Sequence, residues 1–441
     1  MPIVKNTIRT EIELARLEII PAMPIPDHLT GEVQSKLAYV DELIASAQVP
    51  PSGDQIVLRL RQPAGSLPEG RRAELENKVQ RVVTSMVKGA FKPKIQVLED
   101  HLDRPTPFSK NPMSELAERG EISQEAPGVY SLGPLVTRLI GYFEGRFLDL
   151  AASFGAQPYR FPTLIPARYL ERVNYFRAFP HSLTFVTHLR EDLDAIDHFS
   201  QHAGCDEAGA LNTPPASFAQ VQTLLSPAVC YHLYFALADR PLPGGKLAAT
   251  AVGNCFRYEA INLVSLERLW NFTMREVIFV GPKEYVLENR EIARERMHSV
   301  LEETGLAYRV ESANDPFFIG EFRKQAAFQS AFQLKYEIRA RLPFKERLAM
   351  VGGGASPPST VVQTSTLAVG SYNYHQDFFG RNLNISLPDG SPAHTGCVAF
   401  GLERIAFAFL AQHGLDPAVW PVHVRESFDN PSTSSGCLLR M

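Results

Sequence analysis

The chain has 441 residues, a net charge of −4, and 45% hydrophobic residues. That length suffices for two or three domains. The near balance of charge excludes a general nucleic-acid coat or a membrane-surface binder, though it leaves room for a local basic patch. No stretch approaches the roughly 20 consecutive apolar residues of a membrane span. The opening MPIVKNTIRTEIELARLEIIP lacks the apolar block of a secretory signal, so a cytoplasmic protein is expected. The five cysteines, Cys205, Cys230, Cys255, Cys397 and Cys437, are too scattered for a disulfide framework. Packing residues, reduced thiols or metal ligands remain.

Asp54–Arg61 (DQIVLRLR) alternates apolar and polar positions and predicts a half-buried strand. Pro68–Val87 predicts a helix with Leu75, Val79, Val82 and Val83 on one face. Arg71, Arg72, Lys78 and Arg81 fall on its other faces, and Lys88, Lys92 and Lys94 extend the positive run. Such a helix can touch tRNA or an acidic protein; an ordinary solvated face explains it as well. Residues 103–126 are rich in Pro, Ser and charge, as in a linker followed by a short helix. Gly133–Phe154 predicts an amphipathic helix through Leu135, Leu139, Phe143, Phe147 and Leu150. An extended segment with Pro162 and Pro166 follows. Strands are expected at Glu276–Val280, Lys335–Ile338 and Leu383–Leu387, and an apolar helix at Gly401–His413. Strands clustered late, with helices to cover them, indicate an α+β protein with a mostly antiparallel sheet. We read residues 1–125 as a small α+β domain with its linker, 126–425 as the main domain, and 426–441 as a disordered tail. The loop GGGASPPS (352–359) is flexible in composition, a lid or an insertion.

Three segments carry chemistry. In Cys255-Phe256-Arg257-Tyr258-Glu259, taken as one short strand, the Arg257 guanidinium can hold a phosphate oxygen. The Glu259 carboxylate can accept from an adenine amino group. In the loop and strand that follow, Arg268 can reach outer phosphates and Phe272 offers a face for the base. HTGCVAFGLERIAFAFL passes from a strand through Gly401 into a helix and places Arg404 in its first turn, to lie over a ring or pair with a phosphate. SYNYHQDFFG (371–380) packs hydroxyl, amide, imidazole and carboxylate groups into one stretch. A fourth cluster, His198, His202 and Cys205, has helical spacing for a metal but lies in polar sequence that reads as a surface loop.

In this order the segments resemble the class II aminoacyl-tRNA synthetases. CFRYE is similar to motif 2 and AFGLERI to motif 3, although Phe400-Gly401-Leu402-Glu403-Arg404 departs from the usual Gly-x-Gly-x-x-Arg. The helix from Gly133 and the FPTLIP strand stand in the place of motif 1. FPHSLTFV, LLSPAVCYHLY, WNFTMREVIFVG, NDPFF, QLKYEI, SYNYHQDFFG and HTGCVAFGLERI resemble the atypical seryl-tRNA synthetase branch, which includes the amino acid:[carrier protein] ligases. The resemblance implies a catalytic Zn²⁺ on Cys230, Glu276 and Cys397, with its fourth position open to the amino group of an amino acid. It implies adenylate formation from ATP, with Arg257 on the α-phosphate and carboxylate, and Arg268 and Arg404 on the outer phosphates. Mg²⁺ would share the phosphate charge, with Glu337 as its acidic contact. Asn373 and Trp270 are the expected substrate contacts. The acid that bacterial seryl enzymes carry just before the equivalent of Asn373 is missing from QTSTLAVGS.

Three acceptor readings follow. The FPHSL, NYHQDFFG and AHTGC segments favour the phosphopantetheine thiol of a carrier protein. The N-terminal domain and its basic helix favour tRNA. A non-catalytic paralogue acting as a binding module is the third. A homodimer through the motif 1 region is expected of the family.

Overall fold

The computed structural model describes residues 14–63, 65–88, 95–263, 265–315, 333–351 and 359–429. Residues 1–13, Lys92, Lys94, the glycine-rich loop 352–358, the end of NDPFF and the NPSTSSG tail lie outside the described residues. The chain divides into two compact units. The smaller holds the residues up to 94 and the segment Glu259–Leu263, and the larger holds most of the remainder.

In the smaller unit, strands β1 (Leu14–Ile19), β2 (Ile44–Gln48) and β3 (Ile56–Pro63) form an antiparallel sheet in the order β1-β3-β2. The alternation in β3 buries Ile56, Leu58 and Leu60, as a strand with one solvated face requires. Helices α1 (Asp27–Leu37) and α2 (Glu69–Val87) supply the rest of the core, α2 through Leu75, Val79, Val82, Val83 and Met86. Arg71, Arg72 and Lys78 of α2 are paired within the unit, while Arg81 is exposed. Arg71 and Lys78 reach the buried Asp41 carboxylate at 2.8 and 2.9 Å, Lys78 also bonds Glu74, and Arg72 bonds Glu76.

The larger unit is built on an eight-stranded sheet. Its strands are β4 (Val97–Asp100), β5 (Gln157–Pro158), β6 (Leu247–Phe256), β7 (Asn271–Gly281), β8 (Tyr308–Ser312), β9 (Lys335–Arg341), β10 (Thr366–Tyr374) and β11 (His394–Gly401). Their order is β4-β8-β9-β10-β11-β7-β6-β5, antiparallel except for β5 at one edge. Residues 95–125 pack with this unit rather than the N-terminal one, because β4 pairs with β8.

One face of the sheet is covered by α3 (Pro134–Ala152), α6 (Lys283–Glu303) and α8 (Leu402–His413). Phe147 of α3 stacks on Phe400 of β11 with ring centroids 3.8 Å apart. Gly133 starts α3 where the chain presses on Glu121: a Cβ there would lie 2.7 Å from the Glu121 Cα. The opposite face packs against α5 (Cys230–Ala236) and α7 (Phe378–Leu383).

Three local expectations change. Leu383 ends α7, and only Ile385–Ser386 is extended, so the strand expected at 383–387 is mostly absent. His198 and His202 lie on a helix with no buried residue, α4 (Leu193–His202), not in a loop. The chain after Trp420 continues as a helix, Val422–Asp429, which buries Val424 and Phe428, the latter against Trp420. Among the described residues no helix is long and apolar enough to cross a membrane.

Candidate active site and metal centre

Strand register decides which side chains share the α5 face. Glu311, Glu337, Ser371, Ala399, Glu276 and Ala251 are successive partners across β8, β9, β10, β11, β7 and β6. Directly opposed residues point to one side of a sheet, so these form one transverse row. Two residues along, Lys335, Asn373, Cys397 and Ile278 form the next. Cys230 reaches this face from the first turn of α5.

Cys230, Glu276 and Cys397 thereby meet. One ligand atom of each lies within 4.8 Å of the other two, and all three residues are buried. Glu276 Oε1 accepts from the Val229 amide at 3.1 Å, whereas Oε2 has no hydrogen-bond partner of ordinary geometry among the described residues. An orphaned carboxylate oxygen in an apolar surround costs free energy unless a cation or proton meets it. Burial pushes the Cys230 thiol well above its ordinary range, and the neighbouring Cys397 and Glu276 push it further. Hydrogen bonding to Cys230 pulls Cys397 down, but burial and the charge of Glu276 leave it raised. Burial likewise raises Glu276. Two thiols and a carboxylate that resist ionisation without a partner are a donor set that fits a tetrahedral zinc with one open position.

Asn373 is fixed beside this cluster: its Nδ2 donates to Ser371 Oγ at 2.9 Å and to Cys397 Sγ at 3.5 Å. Asn373 thus touches a cluster thiol. Behind Cys230, the Tyr234 hydroxyl lies 3.4 Å from His375 Nδ1, which is 3.1 Å from Thr395 Oγ1. Burial lowers His375 to about 4, so it stands neutral in this chain.

Glu337 is about three strand spacings, or roughly 14 Å, from Glu276 along its row. Both of its oxygens are engaged, Oε1 by Lys335 Nζ at 3.1 Å and Oε2 by Arg339 at 2.7 Å. Burial raises its carboxyl, but these two cations carry it below the ordinary range. Glu337 thus holds Lys335 and Arg339 in this structure. Lys335 also bonds Asp315 at 2.8 Å, and Arg339 lies 3.3 Å from Glu311. Sequence reasoning missed Lys335, Arg339, Glu311 and Asp315. The period of two in Lys335-x-Glu337-x-Arg339 was the available signal for the first two.

Arg257 lies beyond the end of β6, outside the strand expected for it. Its amide bonds the Trp270 carbonyl, its Nε donates to the Pro227 carbonyl at 3.0 Å, and its guanidinium sits 5.4 Å from the Phe272 ring centroid. The face offered by Phe272 therefore carries a cation in this arrangement. Trp270 spends its indole N–H on Thr184 Oγ1 at 2.8 Å, and Tyr258 stands edge-on to it at 5.0 Å. Arg268 is exposed in the turn before Trp270, closed by its amide on the Ser265 carbonyl. Arg404 projects from the first turn of α8 toward the Ala368 carbonyl of β10, at 3.4 Å. Glu403 anchors that turn by accepting the Thr273 amide of β7 at 2.8 and 2.9 Å. Glu259 opens the turn Ala260–Asn262 and belongs to the smaller unit. Cys255 is fully buried packing on β6.

A cavity of about 1270 Å³ lies elsewhere. It is lined by α3 together with Thr250, Val252 and Arg275, which alternate with Ala251 and Glu276 and so face the other side of the sheet.

No family model matches the chain. It is 33% identical over 328 residues to amino acid–[acyl-carrier-protein] ligase 1 of Bradyrhizobium diazoefficiens, across 73% of this chain and 90% of that one. The chain belongs to the amino acid–[acyl-carrier-protein] ligase family. This ligase is also 26% identical over 345 residues to the type-2 serine–tRNA ligase of Methanopyrus kandleri, across 76% of this chain and 63% of that one. The crystal structure of M. kandleri SerRS with A. aeolicus tRNASec superposes on the ligase with a TM-score of 0.66 at 20% identity, covering 94% of this chain and 77% of that one. That likeness establishes the class II synthetase fold of the ligase.

Proposed function

We propose that this ligase activates a small amino acid with ATP and transfers it to the phosphopantetheine thiol of a carrier protein. The observation that carries the reading is the buried Cys230–Glu276–Cys397 cluster on the site face of a class II sheet. A zinc ion bound there supplies a Lewis-acid anchor for the substrate's amino group. Asn373 holds the Cys397 side of the cluster. Arg257 pairs with the α-phosphate and the attacking carboxylate, and Arg268 and Arg404 with the outer phosphates. Trp270 and Phe272 wall the site. In the first step a carboxylate oxygen of the amino acid bonds to the α-phosphorus and pyrophosphate leaves. In the second, the carrier thiolate sulfur bonds to the carbonyl carbon and AMP leaves. Positioning and cationic charge do the work, with no covalent enzyme nucleophile. ATP brings its Mg²⁺, with Glu337 as the acidic contact on the protein side.

The tRNA reading is the less favoured alternative: of its basic run, Arg71, Arg72 and Lys78 are paired with Asp41, Glu74 and Glu76, while Arg81 is exposed. A binding-only paralogue has no need of the cluster. A homodimer over α3 is also proposed. The groove there holds three buried polar atoms, Tyr142 Oη, Arg146 Nε and Arg275 Nε, without a partner among the described residues. The deciding experiment supplies ATP and glycine, alanine or serine to the protein with either a phosphopantetheinylated carrier protein or tRNA. A mass increase of one aminoacyl group on the carrier thiol is expected. Charging of tRNA with an unmodified carrier would overturn the assignment.

A further inference from the structure

We propose a second transition-metal site, formed by Glu99, His101 and His298, with nitrogen and oxygen donors only. Glu99 and His101 stand two residues apart at the end of edge strand β4, so they share a face. His298 and Glu302 stand four apart on α6, one turn above each other. The two pairs face across the seam between the sheet edge and the helix. One ligand atom each from Glu99, His101 and His298 lies within 4.8 Å of the other two.

The spacing suits a small cation. Zinc–nitrogen and zinc–oxygen bonds of about 2.0–2.2 Å set tetrahedral ligand atoms about 3.3–3.6 Å apart. His298 Nδ1 and Glu99 Oε2 are 3.4 Å apart. The Tyr308 hydroxyl now bridges Nδ1 and Oε2, at 2.8 and 3.2 Å, which marks that gap as one that takes a hydrogen-bonded or charged bridge. Arg294 holds the other Glu99 oxygen at 2.5 Å, so that carboxylate is oriented from behind as metal-binding carboxylates commonly are. The His101 ring packs 5.3 Å from His298 and 5.0 Å from Tyr308. Burial keeps His101 in its neutral, ligating form. With Glu99 and Glu302 balancing Arg294 and Arg104, an added cation meets no net positive charge. Exposed His198, His202 and Cys205 show no comparable convergence among the described residues. The ion would tie the edge strand of the sheet to α6, a structural clip remote from the Cys–Cys–Glu cluster.

Cobalt substitution separates the two centres, because thiolates give intense near-ultraviolet charge-transfer bands and nitrogen–oxygen sites do not. The full-length chain is stripped with a chelator and titrated with Co²⁺. Two equivalents are expected, with the thiolate band saturating at one. H101A/H298A should lose one equivalent and keep the thiolate band, whereas C230S/C397S should lose the band and keep one equivalent. The result therefore does not depend on the catalytic-metal reading. Should the double variant fail to fold, H101Q serves, with at least about tenfold weaker binding of the second equivalent expected. Equal stoichiometry and affinity in the wild type and the folded histidine variants would overturn the proposal.

Discussion

The two units handle charge in opposite ways. In the smaller one, Arg71 and Lys78 of α2 are drawn onto a single buried carboxylate, Asp41, and Arg72 and Lys78 onto glutamates of the same helix. In the larger one, the site face of the sheet keeps two thiols and a carboxylate together with one oxygen unpartnered, while Lys335, Arg339, Asp315, Glu311 and Glu337 form a separate ion network. A basic run in sequence is therefore no measure of free positive surface. Functional charge stands where the fold leaves it without a neutralising partner.

Breaking the uncompensated cluster should have the largest effect. Cys397→Ser is expected to lose the bound metal, by elemental analysis, and to reduce amino-acid-dependent ATP–pyrophosphate exchange by about 10³ or more. Next comes Arg257→Ala, for which exchange should fall by about 10²–10³ with metal content unchanged. Arg257→Lys should recover little of it, because an ammonium cannot reproduce the forked contact. Lys335→Met leaves Asp315 facing Glu337 and should lower stability by about 2–3 kcal/mol in denaturant titration. The smallest effect belongs to the smaller unit. Asp41→Asn should lower its melting midpoint by a few degrees and leave exchange unchanged.

Asp41 also sharpens the contrast through pH. Burial raises its carboxyl, but the Lys78 hydrogen bond, the Leu43 amide and Arg71 carry it below the ordinary value of 3.8. The folded state thus binds a proton less readily than the unfolded chain. Its contribution is present above the unfolded pKa and is lost as pH falls below about 4 through the folded value. Asp41→Asn should flatten that part of the stability profile, measured by thermal melts from pH 5 to 2.5.

Periodic elements were legible in the sequence. The alternation of β3, the apolar faces of α2 and α3, and the glycine-led start of α8 each carry a local pattern that packing then satisfies. β4 and β5 were not, because such short segments become strands only through partners distant in the chain. The cluster ligands are separated far too widely for any spacing rule, and Cys230, Glu276 and Cys397 were reached through family resemblance alone. The ion network around Glu337 was not legible, because Lys335 and Arg339 flank it on one face and Glu311 stands opposite on β8. Pairing across strands is what a single sequence hides. Arg257 was placed inside a strand because nothing local marks where pairing with β7 stops.

The most direct test of the central claim is ATP–pyrophosphate exchange over the common amino acids, with the purified protein before and after zinc removal. The account predicts exchange with one or two small amino acids, abolished by zinc removal and restored by zinc. No exchange with any amino acid in a folded, zinc-loaded sample, or exchange indifferent to the metal, would contradict it.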